Sequence, residues 1–374
     1  MGFTLEVDNY RALRKVRWNP SGVCAVTGAN GSGKTTLLSV IEFLRHFLQR
    51  GIKSATTLAG GTASIRNQQA GPDDDILFRL RFGDGTWTVV PTLMAPDLVA
   101  GEVLKVRDSL VAEWGPGMKM IRVNGREFQT SDNSILERTK GILEEPNPEI
   151  DALFNFVLGY RLYRDLRIVD LRTTGSLVTS DTELESSGAN AFSVLRNWRA
   201  GRREHDERFR FVHNGLRECF PELFDDIEFL SAGQTVTVRL FLRGLTEPVH
   251  AFAAPHGLLV ALLHLCAVAS APDKGAVAID EPENGLHPFA IRTLLEVIRS
   301  RAARKELTVL LSTHSPVLLN EFNTDPSRVY VMEPAHGRVP VPLSEHSDPA
   351  WLSHFALGDL YSNQEFGAQQ RPPP

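Results

Sequence analysis

The chain opens on alternation: Phe3, Leu5 and Val7 are apolar while Thr4 and Glu6 are polar, the period of two that a half-buried strand requires. Val23 to Val26 is a continuous apolar run, as expected of a strand buried on both faces. Leu37 to Leu48 carries the three-and-four spacing of a helix, and Gly51 to Gly71, rich in Gly, Thr, Ala and Gln, reads as a loop. Phe78, Leu80 and Phe82 alternate with arginines, turn at Gly83-Asp84-Gly85 and return through Thr86 to Val90, which predicts a hairpin. Ile121 to Phe128, turning at Asn124-Gly125, predicts another.

From Pro146 to about Phe229 the pattern changes to helix-type spacing, over Ile150 to Leu158 and Ala191 to Phe220. Thr235 to Leu242 alternates again. Beyond it, helix-like stretches (Gly257 to Ala269, Pro288 to Ser300) interleave with short apolar runs (Ala276 to Ile279, Leu307 to Leu311, Val329 to Met332). That rhythm predicts a parallel sheet covered by helices on both faces. The expected organisation is residues 1–145 as a first half with antiparallel sheet, 146–229 as a mainly helical insert, 230–340 as a second half, and 341–374 as a tail.

Composition narrows the classes. With 374 residues and 42% apolar content the chain can bury a large core, and a formal net charge of −5 supplies no global basic field for nucleic acid or membranes. Three scattered cysteines, Cys24, Cys219 and Cys266, indicate neither a disulfide framework nor a zinc site and fit reduced thiols in a cytoplasmic protein. The N-terminus lacks the apolar core of a signal peptide, and the most apolar stretch, Gly257 to Ala269, is too short to span a bilayer. The last residues, Pro372 to Pro374, are expected to be disordered.

Candidate chemistry centres on Gly28-Ala29-Asn30-Gly31-Ser32-Gly33-Lys34-Thr35-Thr36, placed between the buried strand and the first helix. This is the phosphate-loop pattern in the context it needs: successive backbone N–H groups and the helix N-terminus form an anion cradle. The glycines allow backbone conformations and close approach that a side chain blocks. Lys34 is placed to reach β- and γ-phosphates and Thr35 to ligate Mg²⁺, so the chain is expected to bind a nucleoside triphosphate. Asp280 and Glu281 end a buried strand at the edge where α/β sheets bind ligands; Asp280 suits Mg²⁺ and Glu281 suits orientation of an attacking water. The next strand ends in Ser312-Thr313-His314-Ser315, where His314 can donate to a γ-phosphate. His287 fits a turn-capping role as well as a catalytic one, and Arg11 fits a nucleotide contact as well as a surface turn. The arginine-dense segment Arg196 to Arg210 fits a solvated helix face neutralised by Glu204, Asp206 and Glu207, with contact to DNA or RNA or to a partner as the alternative.

With these residues in view, the chain resembles the ABC-type ATPases of the RecF/SMC/OLD group, through GANGSGKTTLL at Gly28, AIDEPENGLHP at Ala278 and LSTHSP at Leu311. The resemblance spans about residues 1–50 and 230–335. It implies an α/β P-loop NTPase fold with an ABC-ATPase-like head, Mg²⁺ with ATP as substrate, and two heads closing on nucleotide as a homodimer or higher oligomer. It also implies a signature motif acting in trans. Gly257 keeps that motif's glycine, but Pro255 or Ala254 stands where its serine is expected; Leu230 to Gln234 matches better by letters yet precedes a strand and reads as a decoy. Gln68 or Gln69 are candidates for the group's metal-sensing glutamine. About forty residues follow Met332 without an acid cluster on strands, so a Toprim nuclease of the OLD kind is not expected; a nuclease would be a separate effector protein, in DNA repair or anti-phage defence. A nucleotide-gated scaffold with negligible turnover and, more remotely, a transporter ATP-binding subunit stay open.

Overall fold

The structure, a computed structural model, describes residues 2–71, 73–92, 98–129, 134–333, 338–363 and 365–367; Pro372 to Pro374 lie outside the described residues. Strand β1 (Thr4–Tyr10) buries Leu5, Val7 and Tyr10 and pairs antiparallel with β2 (Leu13–Trp18). Strand β3 (Val23–Thr27) is buried along its whole length. Helix α1 (Lys34–Leu58) runs past the expected end at Leu48 and through Gly51, whose φ of 76° and ψ of 168° break it without ending it. The expected loop from Gly51 to Gly71 is therefore wrong in its first part: Ile52, Ala55 and Thr56 continue the buried face after the break, and a one-turn helix α2 (Thr62–Ile65) follows.

Six strands then run as a meander: β4 (Leu77–Phe82), β5 (Gly85–Thr92), β6 (Val99–Val106), β7 (Ser109–Trp114), β8 (Met120–Val123) and β9 (Arg126–Gln129). With β1 and β2 they form an antiparallel sheet in the order β2-β1-β4-β5-β6-β7-β8-β9. Both expected hairpins, β4–β5 and β8–β9, are present; β6 and β7 were not expected. Strand β6 hides an acid in its inward row. Glu102 is buried and accepts hydrogen bonds from Trp87 Nε1 (2.9 Å), Ser134 Oγ (2.6 Å) and Ile135 N (3.1 Å), while burial pushes its carboxyl up to about 7.

The middle of the chain supplies α3 (Ile135–Ile142), α4 (Pro148–Gly159), β10 (Arg161–Tyr163), α5 (Ile168–Thr173), β11 (Ser176–Leu177), α6 (Ala191–Ala200) and α7 (Arg203–Cys219). After β12 (Phe224–Ala232), β13 (Thr235–Leu242) and β14 (Val249–His250) come α8 (His256–Ser270), β15 (Ala276–Asp280), α9 (Pro288–Lys305), β16 (Thr308–Ser312) and α10 (Pro316–Asn320). The described chain finishes with β17 (Val329–Val331), β18 (Val341–Pro342), α11 (Leu343–His346), α12 (Pro349–Leu352) and α13 (Leu357–Ser362). A second sheet, β10-β15-β16-β3-β17-β18, is parallel from β10 to β17. A small antiparallel sheet, β11-β13-β12, carries β14 on β13.

The parallel sheet separates two cores. On β3, Val23 and Ala25 face the core built from α6 to α9, whereas Cys24 and Val26 face the one built from α1, α4 and the antiparallel sheet. Side chains on β15 and β16 divide in the same way, as two-sided burial of parallel strands requires. The helical middle segment is woven into this arrangement: β10 pairs with β15 from Arg161↔Val277 to Tyr163↔Ile279, and α7 packs on α8 and α9. Within the arginine-dense segment, Arg210 pairs with Asp206 at 2.6 Å and Arg199 donates to Ile227 O while lying over Phe209, so these guanidiniums have partners inside the chain. Among the described residues no helix is long and apolar enough to cross a membrane.

Candidate functional site

The turn after β3 is shaped by its glycines. Gly28 (φ 145°) lies so close to β17 that a Cβ there would sit 2.2 Å from the carbonyl oxygen of Met332, and Gly33 (φ 101°) occupies the N-cap of α1, where no side chain caps the helix. Gly31 (φ 76°) has open space around it and serves the turn alone. The Lys34 ammonium folds back over the loop and donates to Gly28 O (2.9 Å) and Ala29 O (3.1 Å). Burial pulls its pKa down, while Asp280, Glu281 and Glu283 act in the opposite sense. Ala29 and the exposed Asn30 form the outer lip; Ser32 is buried, and Thr36 holds the helix start through its carbonyl, which accepts from Ser39 Oγ (2.8 Å).

Parallel pairing brings the distant acids to this loop. Strand β16 lies between β3 and β15, so the C-terminal ends of all three strands open on one edge. There Thr35 Oγ1 donates to Asp280 Oδ2 at 2.9 Å, across 245 positions of sequence. Ser312 Oγ donates to the other oxygen of Asp280 and accepts from the Glu281 N–H at 3.2 Å. Glu281 has a left-handed backbone (φ 51°), a sparsely populated conformation for a residue with a side chain, and Asn284 Nδ2 donates to its carboxylate at 2.7 Å. His314 follows β16, and burial and the Lys34 charge lower its pKa, which favours a neutral ring.

Ala29, Asn30, Glu281, Asn284 and His314 line a cavity of about 540 Å³, whereas Lys34, Thr35 and Asp280 do not form part of its lining. A larger one, about 620 Å³, lies beside Arg45, Arg161 and residues 180–186, but holds neither the loop nor the strand-end acids. Two members of the smaller cavity escaped the sequence reading. Glu283 Oε1 accepts from Thr313 Oγ1 (2.8 Å) and His314 N (2.9 Å), its other oxygen is buried, and burial raises its pKa. Tyr361, on α13, brings its hydroxyl to 2.9 Å from His314 Nδ1. The acid in Asp280-Glu281-Pro282-Glu283 was a visible signal for the first; for the second there was only the apolar spacing of Leu357 and Leu360.

Other expected residues stand apart from this cavity's lining. Arg11 occupies the β1–β2 turn with a left-handed backbone, and its guanidinium donates to Ala59 O near the end of α1. Gly257 lies in the first turn of α8, against Gly285 O, and Pro255 is the N-cap with no side-chain cap. His287 caps α9, its Nδ1 accepting from Phe289 N at 3.3 Å. Gln68 and Gln69 are exposed. Leu230, Ser231 and Ala232 belong to β12, and Gly233 turns into β13.

The hydroxyl of Thr35 and the carboxylate of Asp280 are hard oxygen donors of the kind Mg²⁺ takes beside phosphate oxygens. Among the described residues no group of three or more His, Cys, Asp or Glu could hold a metal by itself, so an ion here would need ligands from substrate or water.

Comparison with known proteins finds one family model, described as "AAA domain, putative AbiEii toxin, Type IV TA system", matching residues 162–320. That stretch runs from β10 to α10 and includes Asp280, Glu281 and His314 but not the phosphate loop. No curated protein matches the chain. Among solved structures, the head of Smc bound to the C-terminal winged-helix domain of ScpA is 14% identical over 85% of this chain and 91% of its own, with a TM-score of 0.48. The Pyrococcus furiosus Smc head with an extended coiled coil, bound to the C-terminal domain of ScpA, is 11% identical over 85% and 90%, at 0.44. The Thermotoga maritima SMC head domain is 12% identical over 85% and 90%, at 0.37. Over residues 162–320 the chain is thus similar to an AAA domain, and the phosphate loop, which precedes that stretch, has the strand–loop–helix geometry described above.

Proposed function

We propose that this chain binds ATP and hydrolyses it with Mg²⁺, as a head that closes on a second copy around nucleotide and thereby controls a separate effector protein. One observation carries the reading: Thr35 and Asp280, distant in sequence, meet at 2.9 Å on the strand edge that also holds Lys34, Glu281 and His314. Backbone N–H groups from Gly28 to Thr36 cradle the phosphates, and Lys34 exchanges its two carbonyl partners for phosphate oxygens. Thr35 and Asp280 hold the ion, which when bound neutralises charge on the β- and γ-phosphates. Glu281 orients a water and takes its proton as the water oxygen attacks the γ-phosphorus and the bond to the β-phosphate breaks. His314 donates to the γ-phosphate. Arg11 is kept as a contact to the nucleotide outside the reacting phosphates, and Gly257 is assigned to the face that meets the second copy. The family description names a toxin of a toxin–antitoxin system, which agrees with an effector-linked role such as phage defence or DNA repair.

Glu281→Gln tests the assignment. It should retain ATP binding, slow phosphate release at least a hundredfold and prolong the nucleotide-bound dimer; turnover at the wild-type rate removes Glu281 from the mechanism. A second reading, a nucleotide-gated scaffold that barely turns over, draws on Pro255 at the start of α8, which offers neither a hydroxyl nor an N–H. Phosphate release that rises more than linearly with protein concentration favours hydrolysis completed in trans; flat, negligible release with intact ATP binding favours the scaffold.

A further inference from the structure

The C-terminal segment is anchored beside the histidine of the candidate site. Helix α13 packs on α10, which begins two residues after His314. Its first backbone N–H groups are taken up by α10 and the turn that follows: Leu357 N donates to Asn323 Oδ1 (2.8 Å) and Gly358 N to Asn320 Oδ1 (2.7 Å). Gly358 is so close that a Cβ would lie 2.3 Å from Pro316 O. Leu357, Leu360 and Phe366 are buried, and the Tyr361 ring packs near Phe366, 5.7 Å between centroids. Beyond α13 the chain returns to the phosphate loop, where Gly367 packs against Gly28 and donates to Glu333 Oε1 (2.6 Å). Leucine and phenylalanine burial would be satisfied by many tyrosine positions; this one places a hydroxyl on His314.

Resting on the nucleotide-site reading above, we propose that Tyr361 is a positioning residue for His314. Its hydroxyl donates to Nδ1 and fixes the tautomer that carries the proton on Nε2, free for a γ-phosphate oxygen. A neutral imidazole has one donor and one acceptor nitrogen, so whichever nitrogen Tyr361 occupies decides what the other can do. With Nδ1 as the acceptor, the ring can donate only through Nε2. Glu283 secures the same residue from behind through the His314 N–H, leaving the ring to Tyr361. The segment 357–367 is thereby part of the apparatus that distinguishes ATP from ADP.

Tyr361→Phe removes the hydroxyl and keeps the ring, so packing is preserved. In the full chain labelled with ¹⁵N-histidine, with His314 assigned through His314→Gln, the wild type should show a protonated Nε2 and an unprotonated Nδ1. Tyr361→Phe should move both signals toward a mixture of tautomers. The preference for a non-hydrolysable ATP analogue over ADP should fall by about fivefold to tenfold, the effect of one hydrogen bond, with ADP affinity unchanged. In a His314→Gln background Tyr361→Phe should change nothing further. An unchanged imidazole spectrum in Tyr361→Phe, a wild-type ring protonated on Nδ1, an unchanged ATP-to-ADP preference, or an equal loss without His314 overturns the proposal. If the wild type binds neither nucleotide, the site reading itself fails, while the imidazole signals still report the tyrosine contact.

Discussion

Gly28→Ala puts the packing of the phosphate loop against the last parallel strand to a quantitative test. Two separate costs arise. A φ of 145° lies where residues with side chains are rarely found, at a cost of about 1–3 kcal/mol. The new Cβ would also lie 2.2 Å from Met332 O and 3.0 Å from Ser32 Oγ. The carbonyl must retreat by about 0.8 Å to reach the closest separation real Cβ atoms show, yet Met332 is tied to the neighbouring residue by its N–H bond to Thr27 O (2.9 Å). Overpacking of this kind costs about 1–3 kcal/mol. Together the terms give about 2–6 kcal/mol, a large share of the roughly 5–15 kcal/mol that holds an ordinary domain folded. If the loop yields instead of the strand, the loss appears in ligand affinity, because Gly28 O and the adjacent N–H groups move. Urea unfolding followed by tryptophan fluorescence, with calorimetric titration of MgATP, separates the two. Gly31→Ala is the control: its φ of 76° carries backbone strain of about 1–2 kcal/mol, but nothing lies within 4 Å of the added carbon. A Gly28→Ala protein that unfolds at the wild-type urea concentration and binds MgATP as before refutes the close approach. Equal losses at Gly28 and Gly31 refute the clash as cause.

Three further outcomes follow from the same geometry. Ser312→Ala removes the donor to Asp280 and one acceptor for the Glu281 N–H; it should cost about 1–2 kcal/mol in urea unfolding and lower phosphate release by about tenfold. Glu102 holds its proton up to about 7 when folded against 4.5 as the ordinary value, so the unfolded chain releases that proton first as pH rises. Its contribution is therefore favourable below 4.5 and is lost between 4.5 and about 7, by about 3 kcal/mol; Glu102→Gln should flatten urea stability over that window, and an unchanged slope removes the buried carboxyl as the source. Gly358→Ala, which drives a carbon into Pro316 O, should loosen α13 and expose residues 357–367 to limited proteolysis while the rest of the chain resists; wild-type resistance throughout contradicts the tight packing on α10.

What could be read in the amino acids was the chemistry whose spacing is dictated locally. A phosphate cradle needs Gly28, Gly33, Lys34 and Thr35 in succession, and a strand-end acid pair needs an apolar run before it, so both were visible. The α/β class followed from apolar runs alternating with helical spacing. Helix α1 beyond Leu48 was not, because Gly51 and a Thr/Ala-rich stretch mimic a loop while Ile52 and Ala55 keep the buried face. Strand β10 is only three residues long and gains its place from pairing with β15, so nothing local announced it. Tyr361 was hidden for a different reason: its partner His314 is 47 residues away and only the fold of the tail joins them.

The position of β3 bears on how the molecule comes into being. Its two neighbours, β16 and β17, are made long after it and register on it from Val23↔Val309 and Ala25↔Val329. During translation both edges of this strand wait without these partners until β16 and β17 have been made. Closure of such long loops is slow, and open apolar edges invite association between nascent chains. Yield in a cell should therefore depend on chaperone supply and on growth temperature, even where the finished molecule is stable.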